Sequence, residues 1–319
     1  MRAVRIARFG PPEVLEPVTV DDPVPGPGEV VIAVEYAGIT FVETQLRAGR
    51  PPVEAMRPAL PTVLGNGVSG VVAAAGAGVD DGVVGKRVVA SLNGRGGYAE
   101  RAVAEAQRLI DVPDGLGLDQ AAALIADGRT ALAVLGAVGD LAGATVLVEA
   151  AAGGVGGLLV QLVSAAGGRV VAAASGAAKL AAAADLGAEI TVDYSDPSWT
   201  DGVGEVDVVF DGVGGKLGEQ ALSLVRPGGV FCPYGAAAGA GVFGSVADAG
   251  RPDVRTATTG MLDVARQVAL ASEAIALAAS GRLRATVGQV FALADAADAH
   301  AAMESRATIG KTLLKAGPA

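Results

Sequence analysis

The chain carries one cysteine and one histidine in 319 residues. Cys232 has no partner, so an internal disulfide is excluded and a reducing compartment, the cytoplasm, fits best. Cys232 and His300 together cannot supply a zinc site of the His/Cys type. No spacing of carboxylates suggests another metal, so none is expected. A lone histidine, remote from any nucleophile-elbow context, also removes a Ser/His/Asp hydrolase. Positive charge is short: 24 Lys and Arg stand against 34 Asp and Glu, a net charge of -10. Nucleic acid and anionic membrane surfaces are therefore poor partners. The apolar stretches are Ala-rich and broken by Gly or charge, so no membrane span is expected. Met1 to Ile6 leads straight into a strand, with no signal-peptide core.

Hydrophobic residues make up 51% and charged residues 18%, which describes a globular chain long enough for about two domains. Its organising stretch is Thr145-Val146-Leu147-Val148-Glu149-Ala150-Ala151-Ala152-Gly153-Gly154-Val155-Gly156-Gly157. A short apolar strand runs into a turn of small residues, and Leu158 to Val163 then opens a helix. That order is the dinucleotide-binding strand–turn–helix. Gly153 lets backbone approach a pyrophosphate, Gly156 lets helix and strand close up, and the helix N-terminus presents free N–H groups. The first glycine of the usual three is Ala151. A flexible Gly/Ala loop is the alternative, and the flanking strand and helix argue against it.

Before this stretch the chain reads as β-rich. Short strands are expected at Met1–Ile6, Glu29–Tyr36, Gly67–Ala74, Lys86–Ala90 and Gly97–Val103, punctuated by Pro and Gly. Asp21 to Gly28, with three prolines and two glycines, is a surface connector. Two helices, Leu118–Leu124 and Thr130–Val138, are expected to break near Asp127-Gly128. After the glycine loop, strands at 169–174, 189–192, 206–211 and 229–234 alternate with helices at 177–186 and 216–224. Alternation of this kind implies a parallel sheet with right-handed crossovers. Gly235 to Thr259 is ambiguous. A helix at 262–280, a strand at 289–291, a helix at 294–303 and a strand at 311–315 complete the chain.

The second strand of the alternating region ends Ala172-Ala173-Ala174-Ser175-Gly176, without the acid that binds a ribose 2′-hydroxyl. A 2′-phosphate would meet no repulsion there. Ser175 can donate to it and Lys179 can reach it from the next helix. NADPH is therefore expected over NADH, the alternative being that Lys179 is a solvated helix lysine. Tyr98 reads as a strand residue beside a turn. Arg47 and Arg50 share a loop and either steer an anionic substrate or are solvated. His300 reads as a surface residue, Cys232 as a small apolar side chain inside a strand, and Trp199 as a packing anchor.

With these residues placed, the chain resembles the medium-chain dehydrogenases/reductases, in the zinc-free quinone oxidoreductase (zeta-crystallin-like) branch. The carriers are Ala150 to Gly156, Ala37-Gly38-Ile39-Thr40-Phe41, Gly96-Gly97-Tyr98-Ala99-Glu100 and the tail Glu304 to Lys311. The resemblance implies an α/β fold. A GroES-like β-rich catalytic domain is formed by 1–121 and 256–319, and a Rossmann doubly wound domain binds NADP(H) at 122–255. It implies that Thr130 lies near the nicotinamide and that Gly153, Gly154 and Val155 form the pyrophosphate loop. Ser175, Lys179 and Tyr194 match the 2′-phosphate and adenosine pocket. Gly212, Val213, Tyr234, Gly235 and Ala236 match loops along the nicotinamide ribose, and Lys311 of the tail is counted with the cofactor positions. Homodimers are common in the family. The implied activity is zinc-independent hydride transfer from NADPH to a quinone or α,β-unsaturated carbonyl, with Thr40, Gln45 and a cofactor hydroxyl as candidates to stabilise the developing enolate and Tyr98 as a weaker one. A tailoring enoyl reductase and a low-turnover NADPH-binding sensor or structural protein remain open. Where relatives often carry Asn and two tyrosines, this chain has Thr40, Gln45 and Pro51. The substrate pocket has thereby lost aromatic surface, which favours a more polar or differently shaped enone over a flat quinone.

Overall fold

The computed structural model describes residues 1–92, 94–235, 237–238 and 249–317. It divides into two compact units, Met1–Ala126 with Val264–Ala319, and Asp127–Asp263.

The first unit begins with β1 (Arg2–Ile6), β2 (Glu16–Thr19) and β3 (Glu29–Ile39). A short helix α1 (Phe41–Arg47) follows, then β4 (Thr62–Val63), β5 (Gly67–Ala75), β6 (Arg87–Ser91), β7 (Arg101–Glu105) and β8 (Ile110–Asp111). Helix α2 (Leu118–Val138) starts in this unit and ends in the other. It is one continuous helix, not two. Gly128 inside it costs about 1 kcal/mol relative to Ala. Burial of Ala121, Leu124, Ile125 and Ala131 along the same helix outweighs that cost. By length and composition α2 is apolar enough to cross a membrane, yet most of it is buried inside the protein.

The central unit contains β9 (Thr145–Glu149), α3 (Gly154–Ala165), β10 (Arg169–Ala174), α4 (Ala177–Asp185) and β11 (Ile190–Asp193). It continues through β12 (Val206–Asp211), α5 (Gly215–Ser223), β13 (Val225–Pro233) and β14 (Arg255–Thr256). The chain then returns to the first unit with α6 (Val264–Ala279), β15 (Val287–Ala292), α7 (Ala296–Glu304) and β16 (Lys311–Lys315).

The central sheet is six-stranded and parallel, in the order β11-β10-β9-β12-β13-β14. Val146, Leu147, Val148, Val170, Val171 and Val209 are each 0% exposed, as strands covered on both faces require. Trp199 packs into one of its cores and Cys232 is buried within β13, both as expected. The order reverses between β9 and β12. A Rossmann-type sheet binds its ligands at such a switch point, beyond the carboxyl ends of the strands.

The first unit holds a seven-stranded, mostly antiparallel sheet. Its path is β15-β16-β3-β5-β6-β8, with β7 also on β3, and β15 and β16 are its parallel pair. A small sheet β2-β1-β4 lies in the same unit. Its core joins Val4, Ile32, Val68 and Val88 from the early chain to Leu293, Ala299 and Leu314 from the tail. The fold is therefore α/β, a GroES-like sheet and a parallel Rossmann-type sheet. Three further details differ from the sequence reading. Arg47 lies in α1, not in a loop. The expected strand at 97–103 is shifted to Arg101–Glu105, because Gly96 to Glu100 turns to bury Tyr98. His300 is 0% exposed on the inner face of α7, not on the surface.

Candidate functional site

In the central unit, the small-residue turn after β9 folds tightly. Ala150 takes a left-handed φ of 50°, and Gly153 N–H donates to Ala150 O at 2.8 Å. A Cβ on Gly156 would fall 2.2 Å from Ala150 O, and one on Gly154 1.9 Å from Asp127 Oδ2. Neither position accepts a side chain without rearrangement. Gly153 is the N-cap of α3, so the N–H groups of Gly154, Val155 and Gly156 open the helix without intrahelical acceptors.

A second corner forms at the ends of β10 and β11. Lys179 Nζ lies 3.4 Å from Ser175 Oγ, and Tyr194 N–H donates to Ala174 O at 3.1 Å. The structure thus brings Ser175, Lys179 and Tyr194 together. It also brings an acid to the same corner. Asp193 ends β11 and accepts from Gly176 N–H at 3.0 Å. Asp193 also takes the N–H and hydroxyl of Ser195, and these donors hold its carboxyl below the usual range. The expectation of no repulsion is corrected: the second strand carries no acid, but the third supplies one beside Gly176.

A third group lies at the ends of β12 and β13. Tyr234 and Gly235 both donate their N–H to Asp211 O, at 2.8 and 3.2 Å. A Cβ on Gly212 would fall 2.5 Å from Tyr234 Oη, so the tyrosine lies directly over that glycine. Val213 N–H donates to Asp211 Oδ1. Gly212, Val213, Tyr234 and Gly235 are therefore one packed loop pair. Ala236 lies outside the described residues. Thr130 sits on α2, within the residues of this unit.

Thr40, Gln45 and Lys311 belong to the first unit. Thr40 caps α1, and the cap is reciprocal. Thr40 N–H donates to Glu43 Oε2 at 2.6 Å, and the Thr40 hydroxyl lies 3.2 Å from the same oxygen. Glu43 Oε1 accepts from Asn66 N–H at 2.7 Å. Tyr98 Oη donates to Glu43 Oε2 at 3.3 Å and meets His300 Nε2 at 3.0 Å. Tyr98 is thereby committed inside the core and is not a substrate donor. Burial pushes the His300 imidazole down to about 3, so the ring is neutral. With Tyr98 donating to Glu43, His300 donates through Nε2 and its Nδ1 is left without a partner. Burial raises the Glu43 carboxyl, against the N–H of Thr40 and the charge of Lys311. Gln45 Nε2 donates to Thr44 Oγ1 at 3.1 Å. Lys311 is buried where β16 meets β3, its Cε 3.2 Å from the place of a Gly38 Cβ.

Arg47 is 1% exposed, ion-paired to Glu304, and donates to Gly10 O at 3.0 Å. A steering role for it is corrected by that burial, whereas Arg50 is exposed. The sequence reading missed Glu43, although Thr40-x-x-Glu43 is a capping-box pattern that signals a helix start. It also missed Glu149 as a partner for Asp211. These residues end adjacent strands, one step beyond the paired Val148 and Phe210. Among the described residues no three His, Cys, Asp or Glu side chains gather in a metal-holding group.

Residues 26–114 match the family described as alcohol dehydrogenase GroES-like domain, and residues 186–314 the one described as zinc-binding dehydrogenase. The quinone oxidoreductase of Pseudomonas aeruginosa is 35% identical over 326 residues, covering 98% of this chain and 99% of that protein. The 2-haloacrylate reductase of a Burkholderia species is 34% identical over 312 residues, covering 91% of each. The solved structure of Escherichia coli quinone oxidoreductase complexed with NADPH is similar with a TM-score of 0.88 at 27% identity, over 99% of this chain and 100% of that one. The likeness runs through both units and the glycine loop, and the chain belongs to the quinone oxidoreductase branch of the medium-chain dehydrogenase/reductase superfamily.

Proposed function

We propose that this chain is an NADPH-dependent, zinc-independent reductase that delivers hydride to an α,β-unsaturated carbonyl or a quinone. The observation that carries the cofactor choice is the corner where Lys179 Nζ and Ser175 Oγ lie 3.4 Å apart beside Tyr194. The residues fit the nucleotide. A turn that excludes side chains precedes an open helix N-terminus, which suits a pyrophosphate. In this reading the loop of Gly153, Gly154 and Val155 receives the pyrophosphate, Gly153 by its lack of a side chain and Gly154 and Val155 through their N–H groups. Ser175 donates to the 2′-phosphate, Lys179 neutralises it, and Tyr194 lies along the adenosine. Asp193 keeps its charge on Gly176 and Ser195, which turns it away from the phosphate role. Thr130, Gly212, Val213, Tyr234, Gly235 and Ala236 line the nicotinamide ribose, with Lys311 completing the cofactor contacts. Bound NADPH supplies the hydride.

Thr40 and Gln45 stabilise the oxygen on which negative charge develops. When Glu43 is protonated it donates to the Thr40 hydroxyl, and the hydroxyl proton is then free for that oxygen. The Burkholderia relative is a 2-haloacrylate reductase. Together with the loss of aromatic residues at Gln45 and Pro51, this favours an activated alkene over a flat quinone. The functional domains proposed are 1–121 with 256–319, and 122–255, in a cytoplasmic homodimer. Titration with NADPH and NADH, read by nicotinamide fluorescence, tests the cofactor. Lys179→Ala is expected to weaken NADPH about tenfold, one pKa unit in energy, and to leave NADH unchanged. Equal NADPH affinity in that variant would remove the phosphate role. Oxidation of bound NADPH on adding a small enone or 1,4-benzoquinone supports the reductase. Tight binding without oxidation by any acceptor favours the low-turnover binder.

A further inference from the structure

Two carboxyl groups in the central unit present a problem of hydrogen-bond arithmetic. Glu149 ends β9, Asp211 ends β12, and the two strands pair directly. Both side chains are 0% exposed. Asp211 Oδ1 accepts two backbone N–H groups, from Val213 at 2.8 Å and Gly214 at 2.7 Å. Glu149 Oε1, Glu149 Oε2 and Asp211 Oδ2 have no donor among the described residues. Two ionised carboxylates in that place would repel each other in a buried pocket with three oxygens unserved by any described protein donor. One proton between them removes both difficulties, because a protonated carboxyl donates and the other still accepts. Two N–H groups already serve Asp211 Oδ1, whereas neither oxygen of Glu149 has a donor, so the shared proton is placed on Glu149. Glu149 is the better acid: burial and the charge of Asp211 raise it well above its usual range.

The pair sits at the point where the sheet order reverses, and it touches every loop assigned above to the nicotinamide end. Ala150, with its left-handed φ, follows Glu149. Gly212 and Val213 follow Asp211. Tyr234 Oη donates to Glu149 O at 2.9 Å while its ring covers Gly212.

We propose that Glu149 is a positioning residue for the nucleotide site: as a neutral acid it donates to Asp211, and the pair holds the Gly212–Gly214 loop in the shape that receives the nicotinamide ribose. The inference rests on the cofactor reading above. Losing the proton places two negative charges side by side. Asp211 moves and takes Val213 and Gly214 with it, so cofactor affinity falls on the alkaline side. The other titratable groups facing the pair are Cys232 of β13 and Tyr234 just beyond it, with Tyr194 acting on Tyr234 and Arg255 on Cys232. Burial pushes Tyr234 well up and Cys232 up to about 12.

The test measures NADPH dissociation constants on the full chain by nicotinamide fluorescence, from pH about 6 to about 10, for the wild type, Glu149→Gln and Glu149→Ala. The wild type is expected to lose about tenfold in affinity on the alkaline side. Glu149→Gln keeps a donor that cannot ionise, so it shows no such loss beyond contributions common to both proteins, such as any from Lys179. Glu149→Ala is expected to bind about tenfold more weakly near neutral pH, with Glu149→Gln restoring most of that. An equal alkaline loss in the wild type and Glu149→Gln, or full affinity in Glu149→Ala, overturns the proposal. Should Glu149→Ala fail to fold, Asp211→Asn replaces it, since its amide donates to Glu149 and removes the like charge. That variant must also lose the alkaline limb. Infrared difference spectra of the wild type against Glu149→Gln at neutral pH give a reading without cofactor, in which a protonated-carboxyl band is required and its absence overturns the assignment. A wild type that shows this band but binds neither nucleotide would sink the cofactor reading and the positioning role, leaving only the shared proton.

Discussion

In the unit formed by the chain ends, Glu43 is buried among donors: the N–H groups of Thr40 and Asn66 and the hydroxyls of Thr40 and Tyr98. In the central unit, Glu149 is buried equally deeply and meets none of that kind. The first acid is built into the ends of α1, β4 and β5 and the segment around Tyr98, where irregular backbone leaves N–H groups to be satisfied. The second ends a strand of a parallel sheet whose ladder already uses the neighbouring N–H groups. A carboxylate among spare donors staples loops. A carboxylate among satisfied backbone needs a proton of its own. Burial also acts in opposite directions in the two units, lowering His300 beside Tyr98 in one and raising Glu149 in the other, and it keeps both neutral.

The largest expected difference lies in stability. Glu43→Leu strands two backbone N–H groups and a tyrosine hydroxyl, and is expected to cost about 3 kcal/mol, read by denaturant unfolding. Glu149→Leu strands no backbone donor but leaves the single buried oxygen Asp211 Oδ2 without its proton donor, and is expected to cost less, about 1.5 kcal/mol. If the two losses are equal, the contrast between the acids is wrong.

Next come opposite slopes with pH. His300 binds its proton near 6.5 when unfolded but only near 3 when folded. The unfolded chain therefore takes up the proton first, and wild-type stability falls relative to His300→Gln as pH drops from 6.5 toward 3. The slope approaches about 1.4 kcal/mol per pH unit. Glu149 is raised when folded, so its contribution is complete below the usual 4.5 and is lost as pH rises through the folded value. Wild-type stability therefore falls relative to Glu149→Gln as pH increases above 4.5, with the same limiting slope of about 1.4 kcal/mol per unit. Slopes of the same sign in the two pairs would mean that one group is in the other protonation state.

The smallest effects test the turns. Among the described residues, each unit holds one non-glycine residue in the left-handed region, Arg306 at 58° and Ala150 at 50°. Replacing either by Gly relieves the Cβ and is expected to stabilise by about 0.5–1 kcal/mol, read as a rise in Tm. A loss at Ala150 but not at Arg306 would show that the methyl group is needed in the glycine-loop turn.

The two units were also unequally legible. The strands at 145–149, 169–174 and 206–211 stand where their apolar runs placed them, because strands buried on both faces leave an unbroken hydrophobic signal. In the first unit, the strand expected at 97–103 formed later, at 101–105. The preceding segment turns inward to place Tyr98 against His300, a contact 202 residues away in sequence that no local pattern carries. His300 itself reads as exposed between Asp298 and Glu304. Its companions on the buried face are Ala296 and Ala299, too small to mark a hydrophobic stripe. α1 was readable from its capping box, whereas the burial of Arg47 required Glu304, brought from the other end of the chain.

The sequence by itself determined the strand–turn–helix of the glycine loop, the alternating central region, and the exclusion of a disulfide. These rest on local periodicity, on side-chain volume in a tight turn, and on counts of residues. Tertiary structure alone decided which charges are hidden and in what state. It set Asp193 beside Gly176, Glu149 beside Asp211, and His300 beside Tyr98. The physical reason is that an ionisable group's charge depends on what surrounds it, and at these positions the surroundings come from strands and helices distant in the chain.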